Sequence, residues 1–372
     1  MTFLAIGAGL AVLAFALSYA SGWLARIVAP RVGLVDRPGG RKAHARPTPL
    51  GGGVAIWLTT ALVLGAGSLA IGLGRSMLPP DLAVHLGGLR ERGPMLAVVF
   101  GLATTIMAMG LADDRFGLGW GVRLLVQVAL AAVLPIVGVR ITLFPPISQF
   151  PILTDALTVL WVVGLTNSFN FLDNMDGLAA GVGLIAAGLF AGALWAVGGL
   201  FVPAVLMVLV GALAGFLAHN SSPARLFMGD AGSNFLGFLL GALTVLGTFA
   251  KGPSARFAVL TPLLVMAVPL YDTASVILIR LRAGRSPFRP DRSHFSHRLV
   301  DRGLTPRRAV WTIYLVTLAG GLGALLLHRP GTDGTEAAVV VAQSACLIGV
   351  VAVLEVSTPR PERRDGDPAA KP

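Results

Sequence analysis

The sequence predicts an all-α polytopic membrane protein of about eleven transmembrane helices, with an active site gathered at the cytoplasmic membrane face. Three observations carry that class. Hydrophobic residues make up 55% of the 372-residue chain and the mean hydropathy is +0.78, well beyond a water-soluble domain. Charged residues reach only 13% and cluster between apolar runs. The runs themselves are long enough to cross a hydrocarbon layer about 30 Å thick as helices.

In chain order the runs are Phe3–Val28, Leu50–Leu73, Met95–Leu111, Trp120–Val139, Ile152–Thr166, Leu178–Val197, Leu200–Ala218, Gly232–Phe249, Phe257–Leu281, Ala309–Leu327 and Ala337–Leu354. The first is too long for a signal-peptide core and lacks a basic leader and a small-residue cleavage site, so it reads as a retained helix. The sixth and seventh are joined by a very short turn at Gly198-Gly199. Residues 1–356 form one domain, and Ser357–Pro372, rich in Pro and charge, reads as a disordered cytoplasmic tail. Cys346, the only cysteine, lies in an apolar run, which excludes an intrachain disulfide and a Cys-based metal site.

The net charge of +11 does not point to nucleic acid, because the basic residues sit in short loops between spans. Alternate loops hold nineteen and six Lys and Arg residues, the other four falling inside the spans. The positive-inside rule puts the richer set, with the C-terminus, in the cytoplasm and the N-terminus outside. All loops with unusual chemistry then share one face. A transporter would instead place its site near the midplane, where the main polar residue is Asp272 in the ninth span, with Arg280 or Tyr271 as candidate partners or a supporting role behind the site.

The first cytoplasmic loop combines Asp36, Arg41, Lys42, His44 and Arg46 with Gly51-Gly52-Gly53. Its cations suit phosphate oxygens as well as topology, while topology alone has no use for His44. Next, Asp113 and Asp114 stand at the C-terminus of the third span, where a helix dipole disfavours anions. A divalent metal, a basic partner such as Arg115 or Arg123, or a raised pKa in one of them would each compensate. Asn167, Asn170, Asp173, Asn174 and Asp176 then crowd five carboxamides and carboxylates into ten residues. These hard oxygen donors suit magnesium or manganese, not zinc. The segment from His219 and Asn220 through Phe227, Gly229, Asp230, Gly232 and Ser233 leads into the eighth span, so Gly232-Ser233 should form an anion-ready helix start. Finally Arg289, Asp291, Arg292, His294, His297 and Arg298 form a second anion-facing group. Oxygen ligands, basic loops and a lipid-facing position together suggest metal-assisted chemistry on a phosphate-bearing lipid.

In Gly33–Arg308 the chain resembles the polyprenyl-phosphate N-acetylhexosamine-1-phosphate transferases, glycosyltransferase family 4. Five ordered motifs carry the resemblance: Asp36…Arg41-Lys42-x-His44…Gly-Gly, Asp113-Asp114, Asn167-x-x-Asn170-x-x-Asp173-x-x-Asp176-Gly, Phe227-Met-Gly-Asp230-x-Gly-Ser233 and Asp291-Arg-x-His294-x-x-His297-Arg-Leu. The resemblance implies transfer of a sugar-1-phosphate from a UDP-sugar to undecaprenyl phosphate with release of UMP, in the bacterial inner membrane. It implies Mg2+, with Mn2+ as the alternative, held by Asn170 and Asp230. Asp113 and Asp114 would lie near the lipid phosphate, and Asp173 and Asp176 would shape the catalytic site. Lys42 and His44 would bind phosphate, Asn220 and Phe227 the uridine, and His294, His297 and Arg298 the sugar and diphosphate. The last loop is similar to the N-acetylglucosamine branch, which lacks the three consecutive His of the peptidoglycan branch. Another UDP-hexosamine or a muramyl-pentapeptide donor remains the alternative, and a homodimer is compatible with the sequence. Members often carry His where Ser296 stands.

Overall fold

A computed structural model describes residues 2–37, 47–73, 86–141, 149–247, 249, 253–287, 293–329 and 331–357. Arg41, Lys42, His44, Arg46, Arg289, Asp291 and Arg292 lie outside the described residues, as does the tail from 358 onward. Among the described residues the regular structure is helical, except for one two-stranded ribbon.

The helices are α1 (Thr2–Arg31), α2 (Gly52–Leu73), α3 (Leu86–Phe116), α4 (Trp120–Ala131), α5 (Val133–Ile136), α6 (Pro151–Leu172) and α7 (Leu178–Ala196). After them come α8 (Phe201–Asn220), α9 (Gly229–Leu246), α10 (Thr261–Val265), α11 (Ala267–Arg282), α12 (Phe295–Asp301), α13 (Pro306–Leu326) and α14 (Gly334–Ser357). Among the described residues nine helices are long and apolar enough to cross a membrane, and a tenth span arises if Phe257–Val265, a 3-10 turn running into α10, and α11 count as one bent pair. The bend is 60°, and Pro269, in the first turn of α11, removes a hydrogen-bond donor just after the break.

Eleven spans were expected, and the difference lies in the fourth. Trp120–Ile136 is a shorter apolar helix, interrupted at Ala132 and ended after Pro135 by Gly138 at φ +85°. Several helices also extend beyond the apolar runs. α3 carries Asp113 and Asp114 on its last turn, α6 carries Asn167 and Asn170, and α9 begins at Gly229 rather than Gly232. Hydropathy marks where polar residues begin, whereas backbone hydrogen bonding continues until a cap or a left-handed glycine stops it.

α9 lies at the centre. Its span window is 78% buried, against 17% for α1 and 22% for α14, whose faces meet lipid. Polar and apolar groups alike are buried on α9, from Ser233 and Asn234 to Leu243. Two glycines on neighbouring helices allow this approach. A Cβ at Gly53 of α2 would come within 2.2 Å of the Gly232 nitrogen, and one at Gly110 of α3 within 2.3 Å of the Asp230 carbonyl oxygen. The first turn of α9 is therefore wedged between α2 and α3.

The ribbon pairs β1 (Val35–Asp36) with β2 (Thr48–Pro49) in antiparallel register, Val35 opposite Pro49 and Asp36 opposite Thr48. It is joined to the loop ahead of α9, since Leu50 bridges to Phe227 and the Phe227 N–H donates to the Pro49 carbonyl at 2.9 Å.

Candidate active site

The site is built on the start of α9. Asp114, from the end of α3, accepts from the backbone N–H groups of Asp230 (2.8 Å) and Ala231 (3.1 Å). A carboxylate on the positive end of a helix dipole is favourable, which resolves the poor placement Asp114 has on its own helix. The sequence led us to expect an open anion site at Gly232-Ser233. The structure corrects this, because the helix starts three residues earlier and its leading N–H groups hold the protein's own carboxylate.

Asp113 faces the other way. Its Oδ1 accepts from Leu118 N at 2.6 Å, closing the turn into α4, and its Oδ2 meets Arg123 at 2.6 Å. Arg123 also reaches Asp230 Oδ2 at 3.3 Å, so one guanidinium joins two carboxylates from different helices. Asp230 Oδ1 receives the Asn170 Nδ2 donor at 2.7 Å, and Asn170 also donates to Ser233 Oγ at 3.1 Å.

Behind these groups runs a chain of carboxamides in which the sequence marked Asn167 but not Gln127 or Asn234. Asn167 Nδ2 donates to Gln127 Oε1 (2.7 Å), Gln127 Nε2 to Asn234 Oδ1 (3.0 Å), and Asn234 Nδ2 to the Asp230 carbonyl (2.7 Å). Gln127 and Asn234 are buried. Their signal was available, since each is an amide inside an apolar run, where only a satisfied hydrogen bond makes burial affordable.

Asp173 caps the end of α6. Burial pushes its carboxyl up to about 8, helped by the negative charges of Asp230, Asp114 and Asp176. Asp176 Oδ2 accepts from Ala224 N at 3.0 Å and so ties the loop after α6 to the loop before α9. Asn220 fastens the same two loops. Its Oδ1 accepts from Gly177 N and its Nδ2 donates to the Leu226 carbonyl, both at 2.9 Å. Asn220 is buried with both ends of its amide engaged, by Gly177 and by Leu226, and Phe227, the next residue along, is half-buried.

The last loop folds back over this cluster. His294 caps α12 and stands edge-on to Phe171, with ring centroids 5.5 Å apart. Asp272 faces His294 and the Phe295 backbone rather than Arg280 or Tyr271. Arg280 is buried, donates to the Pro287 carbonyl at 2.6 Å and lies 5.6 Å above the Phe171 ring. Arg298 donates to the Ser293 carbonyl and to Ser275 Oγ, and His297 is buried on the same short helix. Ser296 donates to Asn174 Oδ1 at 2.5 Å, linking α12 to the loop after α6. His219 is set apart, stacked on Tyr19 at 4.8 Å between α1 and α8.

The structure thus brings together Asp113, Asp114, Asn170, Asp173, Asp176 and Asp230, with His294 reaching their edge through Phe171. Among the described residues no group of three or more His, Cys, Asp or Glu forms a preformed metal cage. Oxygen donors on Asp230 and Asn170, in a carboxylate cluster where Arg123 supplies the paired cation, suit a hard divalent ion that keeps water and substrate oxygens among its ligands.

The family model for glycosyl transferase family 4 matches residues 96–248, the stretch from α3 to the end of α9. The decaprenyl-phosphate N-acetylglucosaminephosphotransferase of Mycolicibacterium smegmatis is 38% identical over 370 residues, covering 91% of this chain and 84% of that protein. A probable undecaprenyl-phosphate N-acetylglucosaminyl 1-phosphate transferase of Bacillus subtilis is 32% identical, covering 81% and 79%. The undecaprenyl-phosphate alpha-N-acetylglucosaminyl 1-phosphate transferase of Escherichia coli is 28% identical, covering 81% and 77%.

Proposed function

This chain belongs to glycosyl transferase family 4, among the polyprenyl-phosphate N-acetylglucosamine-1-phosphate transferases, and on that premise we propose that it moves N-acetylglucosamine-1-phosphate from UDP-N-acetylglucosamine to undecaprenyl phosphate. A phosphate oxygen of the lipid attacks the phosphorus that bears the sugar. The bond from that phosphorus to the bridging oxygen breaks, UMP leaves, and a lipid diphosphate-sugar remains. The observation that carries the proposal is the position of Asp230, held by Asn170 and Arg123 on a helix start that Asp114 and two glycines lock in place.

Asp230 and Asn170 are the residues we assign to a magnesium ion, which when bound offsets charge on the diphosphate and on the departing UMP. The remaining assignments concern groups of the chain itself. Asp113 holds Leu118 N and Arg123, and Asp114 holds two backbone N–H groups of α9, so we give them the task of fixing Arg123 and α9 beside the reacting phosphates. Asp173 and Asp176 shape the wall of the site, and Phe227 offers a face for the base. Lys42 and His44 stay assigned to phosphate. His294, His297 and Arg298 approach from the last loop. Support for a cytoplasmic site comes from the loop charges: the N-terminus is outside, and the C-terminus shares the side of the site.

An Mg2+ titration tests the metal assignment. Asn170→Ala is expected to raise the Mg2+ concentration for half-maximal UMP release by roughly 10-fold or more, with the protein still inserted. An unchanged Mg2+ dependence would remove Asn170 from the metal site.

A further inference from the structure

Asp272 is the residue of α11 whose burial the transfer chemistry does not by itself require. It is 1% exposed and lies within a bent membrane span, where a carboxylate is strongly disfavoured unless its oxygens are fully compensated. Its two oxygens do different things. Oδ1 accepts from Phe295 N at 2.6 Å and caps α12, while Oδ2 lies 3.0 Å from His294 Nδ1.

An imidazole whose Nδ1 faces a carboxylate carries its proton there, and its other nitrogen then points to the opposite side of the ring. For His294 that ring is gripped twice, by Asp272 at Nδ1 and by Phe171 along an edge. Phe171 follows Asn170 directly in α6, and Asn170 bonds Asp230. We propose that Asp272 is a positioning residue for the transfer reaction: it fixes His294 in the Nδ1–H tautomer, so that Nε2 presents its lone pair to a hydroxyl or N–H donor of the bound substrate. The proposal rests on the function assigned above. Arg298 supports the same arrangement from one turn along, through Ser275, whose Oγ donates to the Asp272 carbonyl at 3.0 Å.

Asp272→Asn separates the two duties. An asparagine keeps an oxygen for Phe295 N and turns an amide donor toward His294, which selects the opposite tautomer. In full-length protein purified in detergent, 15N histidine NMR, with the His294 signals identified by their loss in His294→Ala, is expected to show Nδ1–H in the parent and Nε2–H in Asp272→Asn. Steady-state UMP release is expected to fall in kcat by roughly 10- to 100-fold, as for other residues that orient a functional histidine, with KM for the UDP-sugar within about 2-fold. The double variant Asp272→Asn/His294→Ala should be no slower than His294→Ala, because the two residues act as one unit. A parent-like kcat in Asp272→Asn, an unchanged tautomer, or a full further loss in the His294→Ala background would each overturn the proposal. If Asp272→Asn does not accumulate, Asp272→Glu carries the test. It keeps the charge and should retain Nδ1–H, and Nε2–H there overturns the proposal. A parent enzyme that releases no UMP would fault the functional assignment, while the NMR result would still decide the tautomer.

Discussion

At the scale of single residues, two carboxylates separate position from chemistry. Asp230 is the side chain on which Asn170, Arg123 and the Asp114-capped helix converge. Asp230→Ala is therefore expected to lower UMP release at least about 100-fold, with membrane insertion intact. Retained turnover in purified protein would dismiss the metal assignment. Asp173 is the case where pH reports on the site. Its folded value of about 8 exceeds the ordinary carboxylate value of about 4, so the folded protein binds that proton more tightly than the unfolded chain does. Its stabilising contribution is complete below about pH 4 and is lost as pH rises through about 8. In chelator, Asp173→Asn should flatten this decline and raise the Tm near pH 9. Equal Tm losses at low and high pH would contradict it. The sequence singled out these acids readily, because charges are rare in such a chain. Their partners were harder to see. Asp114 looked misplaced at the end of its own helix, and only the tertiary fold reveals the second helix that it caps.

At the scale of elements, α9 depends on neighbours that come unusually close. Gly53→Ala would drive a methyl group into the Gly232 nitrogen, an overpacking expected to cost roughly 1–3 kcal/mol. Gly65 on the same helix has nothing within 4 Å of its added Cβ, so Gly65→Ala serves as the control and should leave stability unchanged or slightly raised. Thermal unfolding in detergent distinguishes them, and equal effects would argue against the wedge. The amide chain makes a parallel case. Gln127→Leu leaves both Asn167 and Asn234 without their shared partner, a loss of about 1–3 kcal/mol that should also weaken transfer by releasing the carbonyl of Asp230. The order of the spans and their helical character were legible from hydropathy, because each span must satisfy its own backbone in lipid. The break in Trp120–Ile136 and the bend between α10 and α11 were not, since apolar composition is indifferent to where a helix turns.

At the scale of the whole molecule, one-sided chemistry is the organising fact. The ends of α3, α6 and α8, the start of α9 and the helix α12 meet at a single face, and the lipid-facing helices α1 and α14 flank the bundle. Cys346 is exposed on α14, so Cys346→Ala provides a cysteine-free background. With it, Ser221→Cys should be labelled by an impermeant thiol reagent in inside-out vesicles, and Glu336→Cys in intact cells. The reverse pattern would invert the topology. The resemblance read from five motifs agrees with the relatives found over most of the chain. What sequence could not supply was the division of labour among the acids, which depends on distances between helices far apart in the chain. The central claim is the reaction itself. Purified protein given undecaprenyl phosphate, Mg2+ and a panel of UDP-sugars should release one UMP per lipid-linked sugar formed, with UDP-N-acetylglucosamine as the favoured donor. Absence of UMP with every donor would contradict it.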